Sequence, residues 1–147
     1  MKKLIPLIAG FILGFSNPAT AETHQYREFN AGVSGLDPFG YHDIFPGTSY
    51  LRSTVHTNDR LFFESQFGIA LPTIVTIKAC AGLNYDKTRL SLAFRLWPAT
   101  IGPQLEIIGE KRSIIMSYEV SLHSGPLMDN AHLVTFGVRW EPRVIRL

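Results

Sequence analysis

Residue types that perform hydrolysis come together once in this chain: His123 and Ser124, in "LHSG", follow Glu119 closely. A serine hydrolase needs its histidine within hydrogen-bond reach of the serine oxygen, and an acid to orient the histidine. Neighbouring residues of an extended strand point to opposite faces, so this spacing does not deliver the two groups to one place. A second set, His42, Asp43 and His56, has metal-ligating types but no ligand spacing, and reads as polar loop or lumen residues. No CxxC, HExxH, GxSxG or glycine-rich phosphate loop occurs. Cys80 is the only cysteine, so no intramolecular disulfide forms, and its role is not legible. The expectation is a protein with no catalytic residue, no cofactor and no metal site.

What the chain does carry is an ordered set of charges on strands. In "RSIIMSYEVSLHS", residues 112–124, Ile114, Met116, Tyr118, Val120 and Leu122 alternate with Ser113, Ile115, Ser117, Glu119, Ser121 and His123. A period of two is the strand period. The same alternation predicts strands over Tyr26–Ser34, Ser49–Thr57, Arg60–Ala70, Ile74–Tyr85, Thr88–Leu96, Ile101–Ile108 and His132–Trp140. No window reads as an amphipathic helix. Tight turns follow the second, fourth and sixth strands ("TNDR", "YDKT", "GEKR"), with the Asn, Asp and Gly chemistry of hairpins. Longer or proline-broken connections follow the others, including 35–48 and 124–131. Eight strands in such a meander close into an all-β, up-and-down antiparallel barrel with no free edge.

Each strand has one apolar and one polar face. The apolar face includes Leu51, Phe63, Phe67, Leu92, Phe94, Ile107, Tyr118, Phe136 and Trp140. The polar face is rich in Gly, Ser and Thr, and carries Glu28, Arg52, Glu64, Lys78, Arg89, Arg95, Glu106, Glu119 and Arg139. Around the barrel the signs largely alternate, and closure sets Arg139 beside Glu28. By parity Tyr50 and Trp97 fall on the polar face.

The N-terminus points to export. Lys2 and Lys3 precede a short apolar run, and Ala19-Thr20-Ala21 provides small residues for a signal peptidase. Residues 1–21 are expected to be a signal peptide and 22–147 the barrel domain; the run is too short for a membrane-spanning helix. Of 14 Lys+Arg against 12 Asp+Glu, two lysines lie in the leader, so the remainder is balanced. That balance gives no support for nucleic-acid binding.

Two barrels fit the alternation. A soluble periplasmic ligand-binding barrel puts the apolar face inside; an outer-membrane barrel puts it against lipid. Enclosed charges are costly unless paired, so a face of near-balanced charges on a background of small residues suits a narrow lumen. A water-facing surface has no need of such balance. The polar face is therefore expected inside, in a closed lumen with an ion-pair network and no open pore, and the apolar face in lipid.

With the signal peptide, eight strands, inner charges and the last strand "VTFGVRW", residues 22–147 resemble the small outer-membrane barrels of Gram-negative bacteria, of the OmpA transmembrane-domain and OmpX type. The resemblance implies an outer-membrane location, contact with membrane lipid and recognition by the barrel-assembly machinery. It implies a structural or surface-interaction role. Phe39, Tyr41 and Phe45 in the 35–48 loop read first as a cover folded over the barrel mouth, and second as a contact surface for an extracellular partner. Such chains usually end on the terminal aromatic, whereas "EPRVIRL" follows Trp140 here, as a candidate periplasmic tail over 141–147. The His-x-Ser-Asn pattern of outer-membrane lipid A deacylases is absent, which places a lipid A-modifying enzyme behind both barrel readings.

Overall fold

A computed structural model describes residues 22–34, 45–58, 60–71, 73–96, 99–122 and 132–141. They form eight strands: β1 (Glu22–Ser34), β2 (Phe45–Asn58), β3 (Leu61–Leu71), β4 (Ile74–Tyr85), β5 (Thr88–Leu96), β6 (Ala99–Ile108), β7 (Ser113–Ser121) and β8 (His132–Trp140). Each pairs antiparallel with its sequence neighbours, and β8 pairs with β1, so the sheet is a closed up-and-down barrel. This is the all-β architecture expected from the alternation and from the resemblance.

The starts differ by two or more residues at three strands, while β3 is shifted by one residue and β7 is Ser113–Ser121 within the 112–124 stretch. β1 starts at Glu22 rather than Tyr26, β2 at Phe45 rather than Ser49, and β6 at Ala99 rather than Ile101. Polar strand ends such as Thr23 and Gln25 lack apolar alternation, yet their backbone is paired to β2 all the way to Glu22↔Thr57. The proposed signal peptide, residues 35–44 of the first loop, His123, Ser124, Trp97 and residues 142–147 lie outside the described residues.

Paired residues can be followed once round the barrel from Glu22 through Thr57, Phe62, Gly82, Ser91, Gln104, Ser117 and Thr135 to Gly32, ten residues further along β1. A stagger of this order tilts strands by about 35–45°, and eight strands leave an interior just wide enough for side chains to fill. The turn at Asp86 uses a φ of 46°, a left-handed conformation that Asp tolerates. In the turn after β6, the Gly109 N–H donates to the Arg112 carbonyl at 3.1 Å.

Burial alternates with the pleat. Along β5 the inward Arg89, Ser91, Ala93 and Arg95 are buried, whereas Leu90, Leu92, Phe94 and Leu96 are exposed. The outside is apolar: Phe67 is 60% exposed, Leu92 56% and Phe136 59%. The inside mixes buried charge with an apolar group of Leu51, Val55, Phe62, Cys80, Ala93 and Ile115.

β2 corrects the expected facing. Arg52 points outward, not into the lumen, and Leu51, Ser53 and Val55 point in, with Leu51 1% and Val55 0% exposed. Cross-strand partners share a face. Leu51 is the partner of inward Glu28 on one side and of inward Gly68 on the other, so its neighbours' registers decide its orientation. Tyr50 therefore lies outside, where its ring is 6.4 Å from that of Trp140. His56 is outside as well, hydrogen-bonded to Thr23 at 3.0 Å.

Candidate functional site: a two-tier ionic interior

The inward charges collect in two clusters. One lies at the end of the barrel where β3 joins β4, β5 joins β6 and β7 ends; Thr76, Arg95, Thr100 and Glu119 are each within two residues of a strand end there. Its centre is Glu119, 0% exposed. Lys78 Nζ lies 2.9 Å from Glu119 Oε1. Arg95 forks onto both oxygens, Nε donating to Oε2 at 2.9 Å and Nη2 to Oε1 at 3.1 Å. Thr100 and Ser117 hydroxyls donate at 2.5 Å and 3.1 Å. Arg95 also donates to the Thr76 hydroxyl at 2.8 Å.

Strands approach closely here. A Cβ added at Gly102 would lie 1.8 Å from the Tyr118 carbonyl oxygen and 2.7 Å from Glu119 Cα, so only glycine fits opposite the carboxylate. The β6–β7 ladder runs from Thr100↔Ser121 and Ile101↔Val120 to Gln104↔Ser117, passing over Gly102 and Pro103. Pro103 has no N–H to give.

The second cluster lies towards the short turns and the ends of β1 and β8. Its centre is Arg139, 0% exposed. Nη2 donates to Glu28 Oε2 at 2.6 Å and to Glu64 Oε1, and Nη1 to Glu106 Oε2 at 2.9 Å. The guanidinium carbon lies 5.4 Å from the centre of the Tyr26 ring, a cation–π contact. Arg89 reaches Glu106 at 3.3 Å and Asn84 at 3.0 Å, and stacks over Phe62 at 5.6 Å. Ser53 and Gln66 donate to Glu64, and Asn30 donates to Glu28 at 2.8 Å.

Of the nine charged residues read onto the inner face, the structure thus brings together Glu28, Glu64, Lys78, Arg89, Arg95, Glu106, Glu119 and Arg139, and leaves Arg52 outside. Phe63, Phe67, Leu92, Phe94, Ile107, Tyr118, Phe136 and Trp140 all lie on the exterior. The sequence reading set Asn30, Gln66 and Thr76 on the inner face but gave them no part in the network, and its sixth strand began after Thr100. Their signal was present, since each sits at inward parity on its strand.

The tiers are not individually neutral. Around Glu119 one carboxylate meets two cations; around Arg139 three carboxylates, Glu28, Glu64 and Glu106, meet two. The first is +1 and the second −1, and they cancel. Five buried acceptors have no donor among the described residues: Asn30 Oδ1, Glu64 Oε2, Gln66 Oε1, Gln104 Oε1 and Glu106 Oε1. At the short-turn mouth a bowl of about 1040 Å³ is lined by Arg27, Arg89, Lys111, Arg112, Arg139, Glu110 and Glu141, with Tyr26 and Trp140. Among the described residues no three His, Cys, Asp or Glu side chains converge as a metal site, and Cys80 is buried and unpaired.

Among solved structures, the chain is similar to Ail, the attachment invasion locus protein of Yersinia pestis, in a complex with the heparin analogue sucrose octasulfate. That match has 12% identity over 82% of this chain and 96% of that one, with a TM-score of 0.48. It is also similar to Neisserial surface protein A, at 12% identity over 83% of this chain and 99% of that one, with a TM-score of 0.47. No protein-family model matches the chain. No curated protein matches it.

Proposed function

We propose that residues 22–147 form a small outer-membrane β-barrel with a structural or surface-interaction role, exported by a signal peptide cleaved after Ala21. The observation that carries this reading is the inversion of the barrel: charges inside, large apolar side chains outside. An exposed wall including Phe67, Ile69, Leu71, Leu92 and Phe136 far exceeds the apolar patches that monomeric soluble proteins leave in water. It matches the apolar band of outer-membrane barrels. Tyr85 and Trp140, on the exterior at the last residues of β4 and β8, suit an interfacial aromatic girdle.

In this proposal the ionic tiers are structural. They hold strands together across a lumen with no open pore, and the lumen carries no substrate. Short turns, the start of β1 and the end of β8 face the periplasm, and the opposite end of the barrel faces outward, where an extracellular partner would be met through the 35–48 loop. The strand "VTFGVRW" serves recognition by the assembly machinery. A soluble ligand-binding barrel requires the opposite facing, and a lipid A-modifying enzyme requires a site that His123 and Ser124 do not make by spacing.

Cell fractionation tests the proposal. The processed chain, beginning at Glu22, is expected in the outer-membrane fraction, and extraction is expected to need detergent. Recovery as a soluble periplasmic monomer overturns the membrane reading. A change in lipid A mass on expression overturns the non-enzymatic one.

A further inference from the structure

Among the described residues, the outward positions of β3 to β8 carry no Asp, Glu, Lys or Arg. The outer wall has two charges, Arg27 and Arg52, and they are direct cross-strand partners. The paired row containing them reads Trp140, Arg27, Arg52, Phe67, so two arginines leave the sheet from paired positions between two aromatic residues. On one side of this row Phe29 is paired with Tyr50; on the other Gln25 is paired with Thr54. The row is the border at which the apolar wall of this face gives way to polar residues.

Like charges directly opposite in a sheet repel, and nothing described neutralises these. Arg52 donates to Gln25 Oε1 at 2.8 Å and Arg27 to the Tyr50 hydroxyl at 3.3 Å; neither makes an ion pair with a described carboxylate. Both side chains are exposed, so N–H groups of two planar forks remain for an external acceptor. A guanidinium fork matches the oxygens of a phosphate, and two long arginine side chains rooted at paired positions can swing onto one such group.

We infer that Arg27 and Arg52 bind the phosphodiester of an anionic phospholipid headgroup, in the leaflet at the short-turn end of the barrel. The inference rests on the outer-membrane reading above. Phe29, Phe67 and Trp140 adjoin the pair and offer acyl chains an apolar wall. A second copy is a poor occupant, because a two-fold contact through this patch sets arginine against arginine.

The test uses the processed chain inserted in phosphatidylcholine vesicles containing a minor fraction of phosphatidylglycerol. Association of each lipid with the barrel is read by spin-labelled lipids. Phosphatidylglycerol is expected to be preferred, with the preference falling as salt is raised. Loss of each arginine is expected to weaken it by about fivefold at most, the value of one cation near an anionic surface. R27Q/R52Q is expected to abolish the preference, whereas K111Q/R112Q, which removes equal charge from the turn after β6, leaves it. If the double variant fails to insert, R52Q alone and the salt titration of the unaltered chain give the same readout.

Insertion without a lipid preference overturns this inference and leaves the membrane reading standing. Equal loss in K111Q/R112Q also overturns it, as does a co-purifying acidic protein released by R27Q/R52Q with no change in bound lipid. A chain that stays out of the vesicles overturns the membrane reading and this site with it.

Discussion

Glu119 and Arg139 centre two clusters that are near mirror images in charge. Glu119 is an anion enclosed by donors: two cations and two hydroxyls reach its oxygens, and neither oxygen is left without a partner. Arg139 is a cation ringed by three carboxylates, two of which, Glu64 and Glu106, each keep one oxygen without a described donor. The difference shows how a narrow lumen treats charge. One carboxylate can be fully satisfied by side chains from four strands, whereas three carboxylates share five donor side chains that converge on four of their six oxygens. Each tier then depends on the other for neutrality, and a buried charge left alone is costly.

This contrast is broken most severely at Arg139. Arg139→Met leaves three buried carboxylates with Arg89 as their remaining cation. The expected loss is at or above the top of the range of about 3–5 kcal/mol seen when a buried pair loses one partner. Reversible urea unfolding from lipid vesicles measures it; a loss below about 1 kcal/mol would show that the carboxylates are not enclosed, since solvated surface changes stay near 0.5 kcal/mol.

Glu119→Gln comes next. It strands Lys78 and Arg95 without an anion, and about 3 kcal/mol is expected in the same measurement. Gly102→Ala probes the geometry of that tier without touching its charge. The added methyl meets the Tyr118 carbonyl, so overpacking is expected to cost about 1–3 kcal/mol. Unchanged stability would mean that β6 and β7 can separate freely opposite Glu119.

The smallest effect sharpens the comparison most. Glu64→Gln is the same chemical change as Glu119→Gln, made in the tier with surplus negative charge. It leaves two carboxylates and two cations, and keeps an acceptor for Ser53, Gln66 and Arg139. The expected cost is no more than about 1 kcal/mol, the scale of one hydrogen bond. Equal penalties for the two Glu→Gln changes would defeat the idea that the tiers differ in charge surplus.

The residues show why most of this was legible in advance and β2 was not. In β5, "TRLSLAFRL" sets leucine and phenylalanine against arginine and serine, and its facing is unambiguous. In β2, Leu51, Ser53 and Val55 alternate with Arg52, Thr54 and His56, and a preference for charge on the inner face chose the wrong parity. The strand's own preference was overruled by the registers of β1 and β3, which align Leu51 with Glu28 and Gly68.

The amino-acid sequence by itself determined the strand count, the meander, the existence of an ionic face and an apolar face, and the meeting of Arg139 with Glu28 at the seam. Most follow from local alternation and turn chemistry, which act along the chain, and the seam follows from closure, which brings the last strand of the meander to the first. Only the closed barrel decided that Glu64 and Glu106 also converge on Arg139, that Lys78 and Arg95 share Glu119, and that Arg52 stands outside beside Arg27. Those contacts join strands that are not neighbours, or follow from register. They depend on barrel radius, stagger and facing, which no single strand contains.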